Sequence, residues 1–474
     1  MKRRGFSTST RTFQTMFFGL SRIEHWSTHP KQLANARSIY ESFRRHLHAV
    51  RKDDPGSPEL FVDPLAAYIK ILGDAGQYQE IFDVYYALDS EGPLSANQAI
   101  FTGMFQALSS RNTLASASDR RQSPQIQNAS DAKLLWTQML KASERSPGFV
   151  VDSFIVSAAI TALSRGRAAD QTLAFQILRD YLGLTQPGEA PVTGTIPLVT
   201  QSLAAALMLC NKSQKYSLCV HFFQQVVDRP EKVGALSIID RDHVEQVLKA
   251  YIALASRDSA HNALKTLEWM LRQEIMGRNG SKIRPANSTY NLVLMACWCG
   301  ADWNSAIRAF ELMTGYHAHD FKDGAVTSTP RLDKRSAGRN LVPDAETMSF
   351  MVRAALASRD RANMRQCLRI VDCLGIDRLF SKQEADSNKA AKYRAFYHVK
   401  LAAALIATID HVLTKSWRKG TPSDNQPIQW RELGLRAVEE LKRMKVSQRT
   451  TGPEFIPTLE EPQRDKHERA TWRM

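Results

Sequence analysis

The chain is poor in the features that mark secreted, membrane-spanning or catalytic proteins. Its 6 cysteines are too sparse among 474 residues for a disulfide scaffold. Cys210, Cys219, Cys297, Cys299, Cys367 and Cys373 therefore read as reduced thiols, mostly buried in helices. The apolar stretch over residues 198–210 contains Gln201 and falls short of the roughly 20 residues that a transmembrane helix needs. No glycine-rich phosphate loop is present, since Gly277, Gly280 and Lys282 have neither the spacing nor a preceding strand. An H-E-x-x-H motif is absent, and on a helix Cys297 and Cys299 point about 200° apart, a poor start for a zinc site. His317, His319 and Asp320 read as a solvated loop rather than a metal site. The expectation is a protein without catalytic residues, cofactor, metal or membrane span.

Charge is uneven. Lys and Arg number 63 against 48 Asp and Glu, a formal net charge of +15. Residues 1–52 and 281–420 each carry a net +9, whereas residues 53–150 carry −5. The first excess begins with Lys2, Arg3, Arg4, Arg11 and Arg22 among many Ser and Thr, with bulky Phe13, Phe17 and Phe18 and no acid before Glu24. That is the composition of a mitochondrial transit peptide, which sets residues 1–27 apart as a targeting segment with a matrix address.

What the sequence has in abundance is helical periodicity, and it repeats. An apolar or small residue at i, with large ones at i+4 and i+7, lines one helix face. The triplet occurs as Ala36/Tyr40/Phe43, Ile81/Tyr85/Leu88, Ala132/Trp136/Met139, Ala174/Leu178/Tyr181, Cys219/Phe223/Val226, Ala263/Leu267/Met270, Ala306/Phe310/Met313 and Cys367/Val371/Leu374. Successive first members lie 45, 51, 42, 45, 44, 43 and 61 residues apart. Another apolar helix precedes each triplet except the first, and Gly76, Gly166 and Gly300 fall where such a helix must stop and reverse. Residues 112–130, 186–195 and 318–342 read as solvated loops between helices. The fold class expected is all-α, an α-solenoid of about seven to eight helical hairpins over residues 28–380. Two capping helices over 381–446 and a polar tail over 447–474 complete the reading.

Residues 284–313, RPANSTYNLVLMACWCGADWNSAIRAFELM, are similar to a pentatricopeptide repeat. Thr289, Tyr290 and Asn291 open the first helix, Gly300 stands at the turn, and Ala306, Phe310 and Met313 follow along the second. Val342, Pro343 and Asp344 begin another copy, and residues 65–88 look like a third. The presequence and irregular spacing resemble the divergent mitochondrial members found in fungi. The resemblance implies a superhelix whose first helices bind single-stranded RNA, with a side chain early in each first helix selecting a base. That position falls on Leu292 and Phe350, which lack the polar contact, or one residue earlier on Asn291 and Ser349. Backbone or stacking recognition is then the safer expectation.

The second basic segment extends the RNA reading. Arg361, Arg365 and Arg369 share one helical face at i, i+4 and i+8, and Arg353 lies on the helix before them. Arginine binds phosphate bidentately and stacks on bases. Asn291, Leu292, Ser349, Phe350, Arg353, Arg361, Arg365 and Arg369 are the candidate RNA contacts. Two functions stay open: a non-enzymatic factor for processing, splicing, stability or translation of mitochondrial transcripts or for small-subunit ribosomal RNA maturation, and a helical scaffold gripping protein, for instance on the mitochondrial ribosome.

Overall fold

A computed structural model describes residues 8–110, 124–146, 148–229, 236–277, 280–325, 329–336, 338–381, 388–413 and 428–451. Among the described residues the fold is all-helical, and the extended pairings are two isolated bridges, Asp89 with Ser95 and Tyr316 with Leu332. None of the described helices is long and apolar enough to cross a membrane. The chain forms two compact units that divide after Ile238.

The N-terminal unit holds α1 (Thr10–Leu20), α2 (Pro30–Asp53), α3 (Asp63–Asp74), α4 (Tyr78–Tyr86), α5 (Gln98–Ser110), α6 (Pro124–Arg145), α7 (Ser153–Leu163), α8 (Ala168–Leu182), α9 (Thr200–Lys212) and α10 (Tyr216–Val227). They pair in order. α1, α3, α5, α7 and α9 pack successively on one another, each even-numbered helix packs on its own partner, and α2, α4, α6 and α8 also pack on the first helix of the following pair. Apart from Leu88, which follows the end of α4, the periodic triplets of this unit lie on the even-numbered helices, where Ala36, Phe43, Ala132, Met139, Ala174, Leu178, Cys219 and Val226 are fully buried. Ile81 and Trp136 are also in the core. Small residues let the pairs approach closely. A Cβ placed on Gly166 would sit 2.5 Å from Ala129 Cβ, so glycine is required there by contact with α6 rather than by a left-handed turn.

The expected targeting segment, residues 1–27, contains α1, which packs on the helices that follow it. Upstream of the first triplet, where the sequence pattern supplies no partner, α1 is that partner and packs on α2 and α3. Phe13 and Phe17 are buried, with Phe13 5.3 Å from the Phe43 ring and Phe17 5.2 Å from the Tyr68 ring. At its first turn the Thr10 backbone donates to Glu59 Oε2 at 2.8 Å, and the Thr10 hydroxyl donates to the Glu59 carbonyl at 2.7 Å. Trp26, just beyond the helix, is buried as well. Residues 1–7 lie outside the described residues. The polar stretch expected as a loop over 112–130 is helical from Pro124 onward, and residues 111–123 are outside the described residues.

The C-terminal unit holds α11 (Arg241–Leu254), α12 (Ser259–Ile275), α13 (Asn287–Gly300), α14 (Trp303–Thr314), α15 (Ala345–Ala357), α16 (Arg361–Leu374), the single turn α17 (Ile376–Leu379), α18 (Asn388–Val412) and α19 (Ile428–Thr451). The first helices α11, α13, α15 and α18 pack successively on one another, and α12, α14, α16 and α19 are their partners. Aspartates start these helices by accepting from a backbone N–H: Asp240 from His243 at 3.2 Å, Asp302 from Ser305 at 3.0 Å and Asp344 from Thr347 at 2.9 Å. Such caps contribute about 1 kcal/mol each. The reversal after α13 does not use Gly300, which is the last helical residue. The left-handed residue is Ala301, at φ 53°. The expected tail beyond residue 451 is outside the described residues.

Candidate nucleic-acid interface

The residues singled out for base reading are core residues. Leu292 and Phe350 are buried between first helices, and Phe350 meets Trp298 at 6.3 Å and Tyr397 at 5.8 Å. Asn291 is buried and its Oδ1 accepts from Thr347 Oγ1 at 2.7 Å, joining α13 to α15. Ser349 is buried and donates to the Glu346 carbonyl at 2.9 Å. Glu346 itself accepts from the Tyr393 hydroxyl at 2.8 Å, and burial pushes its carboxyl above the usual range. Whichever of the two registers is taken, these side chains are buried, Asn291 and Phe350 in contacts between helices and Ser349 on its own helix, and have no open face toward a base.

The arginine stripe is engaged too. Arg365 Nε donates to Asp323 Oδ2 at 2.9 Å, and Arg369 pairs with the other oxygen of the same carboxylate. Arg369 also donates to the Phe321 carbonyl at 3.0 Å. The two guanidiniums hold the Asp323 carboxyl down at about 2. Arg353 lies 4.0 Å from the Trp298 ring centre and 4.8 Å from that of Phe350, with its Nε donating to the Ser349 carbonyl at 3.1 Å. Of the eight candidates, Arg361 is the one left exposed and without an ion-pair partner among the described residues.

The acid that engages Arg365 and Arg369 belongs to the stretch 318–342, expected as a solvated loop. Instead it folds back on the helices. Gly315 ends α14 at φ 82°, and the Leu341 backbone donates to the Met313 carbonyl at 2.9 Å, returning the chain to where it left. Asp320 is buried and takes a bidentate contact from Arg331, at 3.0 Å from Nε and 2.9 Å from Nη2, which holds its carboxyl at about 2. His317 Nε2 is 2.9 Å from Asp333, so two of the three side chains of the His-x-His-Asp run, His317 and Asp320, are engaged within the connection, while His319 is exposed. Among the described residues there is no group of three potential metal ligands.

This fold-back creates one wall of a cleft of about 680 Å³. The other walls are the end of α12, the approach to α13 and the outer face of α14. Six cations line it, Arg272, Arg284, Arg308, Lys334, Arg335 and Arg339, against the carboxylates Glu268 and Glu274. Four of the cations are held in place. Arg335 donates to the Leu312 and Glu311 carbonyls at 2.6 and 3.1 Å, satisfying acceptors left open at the end of α14. Arg284 donates to Glu274 at 2.7 Å, with Arg339 at 3.7 Å from the same carboxylate, and Arg308 contacts Glu268 and Glu311 at 3.5 and 3.2 Å. Arg339 Nε is buried without an acceptor. Arg272 and Lys334 are exposed and have no ion-pair partner among the described residues.

The sequence places Lys334, Arg335 and Arg339 within the solvated loop 318–342 of the second basic segment, and gives no sign that Arg272, Arg284 and Arg308 join them. These three stand on separate elements with no common period, so no linear pattern gathers them. The cleft can seat an anion: fixed guanidiniums present donors without losing side-chain freedom on binding, and the uncompensated charge attracts phosphate. Its one aromatic, Tyr290, is buried with its hydroxyl donating to the Leu312 carbonyl at 3.3 Å, so the walls offer charge rather than stacking. The chain matches no protein-family model, and a search among curated proteins returns no relative in sequence.

Proposed function

We propose that this protein is a divergent pentatricopeptide-like α-solenoid that binds single-stranded RNA in the mitochondrial matrix, without catalysis of its own. It would act in processing, splicing, stability or translation of organelle transcripts, or in small-subunit ribosomal RNA maturation. The observation that carries the reading is the cleft, where six cations face two carboxylates. The ordered packing of first helix on first helix within each unit supports the solenoid, and the basic N-terminal composition supports the address. Recognition runs through phosphate, because the positions that would read bases are buried.

That same burial favours a second reading, a helical scaffold for protein, for instance on the mitochondrial ribosome. Ultraviolet crosslinking in cells, followed by identification of the crosslinked peptide, separates the two. The RNA reading expects adducts on peptides that contain Arg272, Lys334 or Arg339. Crosslinks to protein alone, with no RNA adduct anywhere on the chain, would favour the scaffold.

A further inference from the structure

We propose that the N-terminal unit carries a second nucleic-acid site, a pocket that stacks one base of a single strand on Tyr86 and holds the adjoining phosphate with Lys141 and Arg145. The inference rests on the RNA-binding reading and adds to it the stacking that the cleft does not offer.

The pocket, about 310 Å³, lies where the end of α4, the start of α5 and the last turns of α6 meet. That volume is at the lower end of small-ligand sites and suits one nucleotide rather than a chain. Tyr86 is 62% exposed, unusual for a large aromatic, yet its ring is not loose. It stacks against Phe82 with ring centres 6.3 Å apart at 26°, and meets Tyr85 edge-on at 5.3 Å. Tyr85 in turn leans edge-on against Phe101 at 5.9 Å, anchoring the series in the core. A ring held on one side and open on the other is a platform ready for a base, with little ordering left to do on binding.

The polar side of the pocket suits a phosphate. Lys141 and Arg145 stand one turn apart on α6, both exposed and without an ion-pair partner among the described residues. The pocket's carboxylate, Asp89, already pairs with Arg51 at 2.8 Å, which limits its repulsion of an anion. The surrounding segment is acidic overall, so this is a local exception that a count of charges along the sequence conceals.

The test uses the full chain and a fluorescent twelve-residue oligouridylate, with affinity followed by anisotropy over a range of salt. Tyr86→Ala is expected to weaken binding by about 5- to 150-fold, the loss of one base stack, with an unchanged salt slope. Tyr86→Trp should retain or tighten binding. Lys141→Gln with Arg145→Gln should flatten the slope of log K against log salt by about 0.7 if one phosphate contact is lost. Tyr86 is exposed, so an unchanged helical circular dichroism signal is expected for its variants. If Arg272→Gln with Lys334→Gln weakens binding while Tyr86→Ala leaves affinity unchanged, this site is overturned and the RNA reading stands. If the unsubstituted chain binds no oligonucleotide, both are overturned.

Discussion

Replacing Phe17 by alanine tests whether the basic N-terminal segment is part of the fold. The side chain is completely buried, set against Tyr68 at 5.2 Å and edge-on to Phe43 at 6.4 Å. Truncating such a phenylalanine leaves a cavity between α1, α2 and α3 that rigid helices fill poorly, at a cost of about 3–5 kcal/mol. Its neighbour Phe18 is 57% exposed and carries Arg22 over its ring, 4.9 Å from the ring centre. Phe18→Ala should therefore cost at most about 1 kcal/mol, the worth of an exposed cation–π contact. Hydrogen exchange resolved by peptide is the suitable assay, because a terminal pair opens locally and a global midpoint would miss it. Phe17→Ala is expected to raise exchange in α1 and in the facing parts of α2 and α3 by about 150-fold or more, and Phe18→Ala by less than about tenfold. Deleting residues 1–27 should have an effect at least as large as Phe17→Ala. Equal behaviour of the two phenylalanine variants, with a deletion that leaves α2 and α3 as protected as before, would refute the packing of α1.

Other outcomes follow from single contacts. Arg365→Gln with Arg369→Gln should leave the salt dependence of RNA binding unchanged, since Asp323 holds both guanidiniums, and should raise hydrogen exchange around residue 323; a flatter slope would show that the stripe meets phosphate after all. Gly166→Ala should lower stability by about 1–3 kcal/mol in urea unfolding, because its Cβ would overlap Ala129 Cβ; a neutral result would mean that α6 gives way. His398 is buried beside the Phe380 ring, and burial followed by the charges of Arg394 and Arg443 lowers its imidazole to about 4. The unfolded chain takes up that proton near pH 6.5 and the folded chain does not, so stability from this residue is full above 6.5 and is lost as the pH falls toward 4. The loss runs at up to about 1.4 kcal/mol per pH unit, and His398→Phe should remove that part of the slope; identical slopes in the two proteins would contradict it.

Most of the helical order was legible because a helix that packs on two neighbours writes its buried face at intervals of three and four residues. Ala132, Met139, Ala306, Phe310 and Met313 show this directly. The packing of helix α1 was not legible for a physical reason: Phe13 and Phe17 at i and i+4 make one apolar face whether it will meet a helix or an import receptor, and a lack of acids suits both. The arginine stripe was legible as a stripe, but its partner Asp323 arrives from a connection 42 residues earlier, and nothing in that connection announces its fold-back. The register of Leu292 and Phe350 implied an open face, whereas first-on-first packing buries it. The cleft was illegible because Arg272, Arg284 and Arg308 come together only when α12, α13 and α14 are stacked.

The central claim is that the cleft between α12, α14 and the folded-back connection holds RNA by its phosphates. The most direct measurement is the salt dependence of oligouridylate binding by the chain with Arg272→Gln and Lys334→Gln, the two cations without internal partners. Two lost phosphate contacts should flatten the slope of log K against log salt by about 1.4, with weaker binding at low salt and an unchanged helical signal. An unchanged slope and affinity in that variant would contradict the claim.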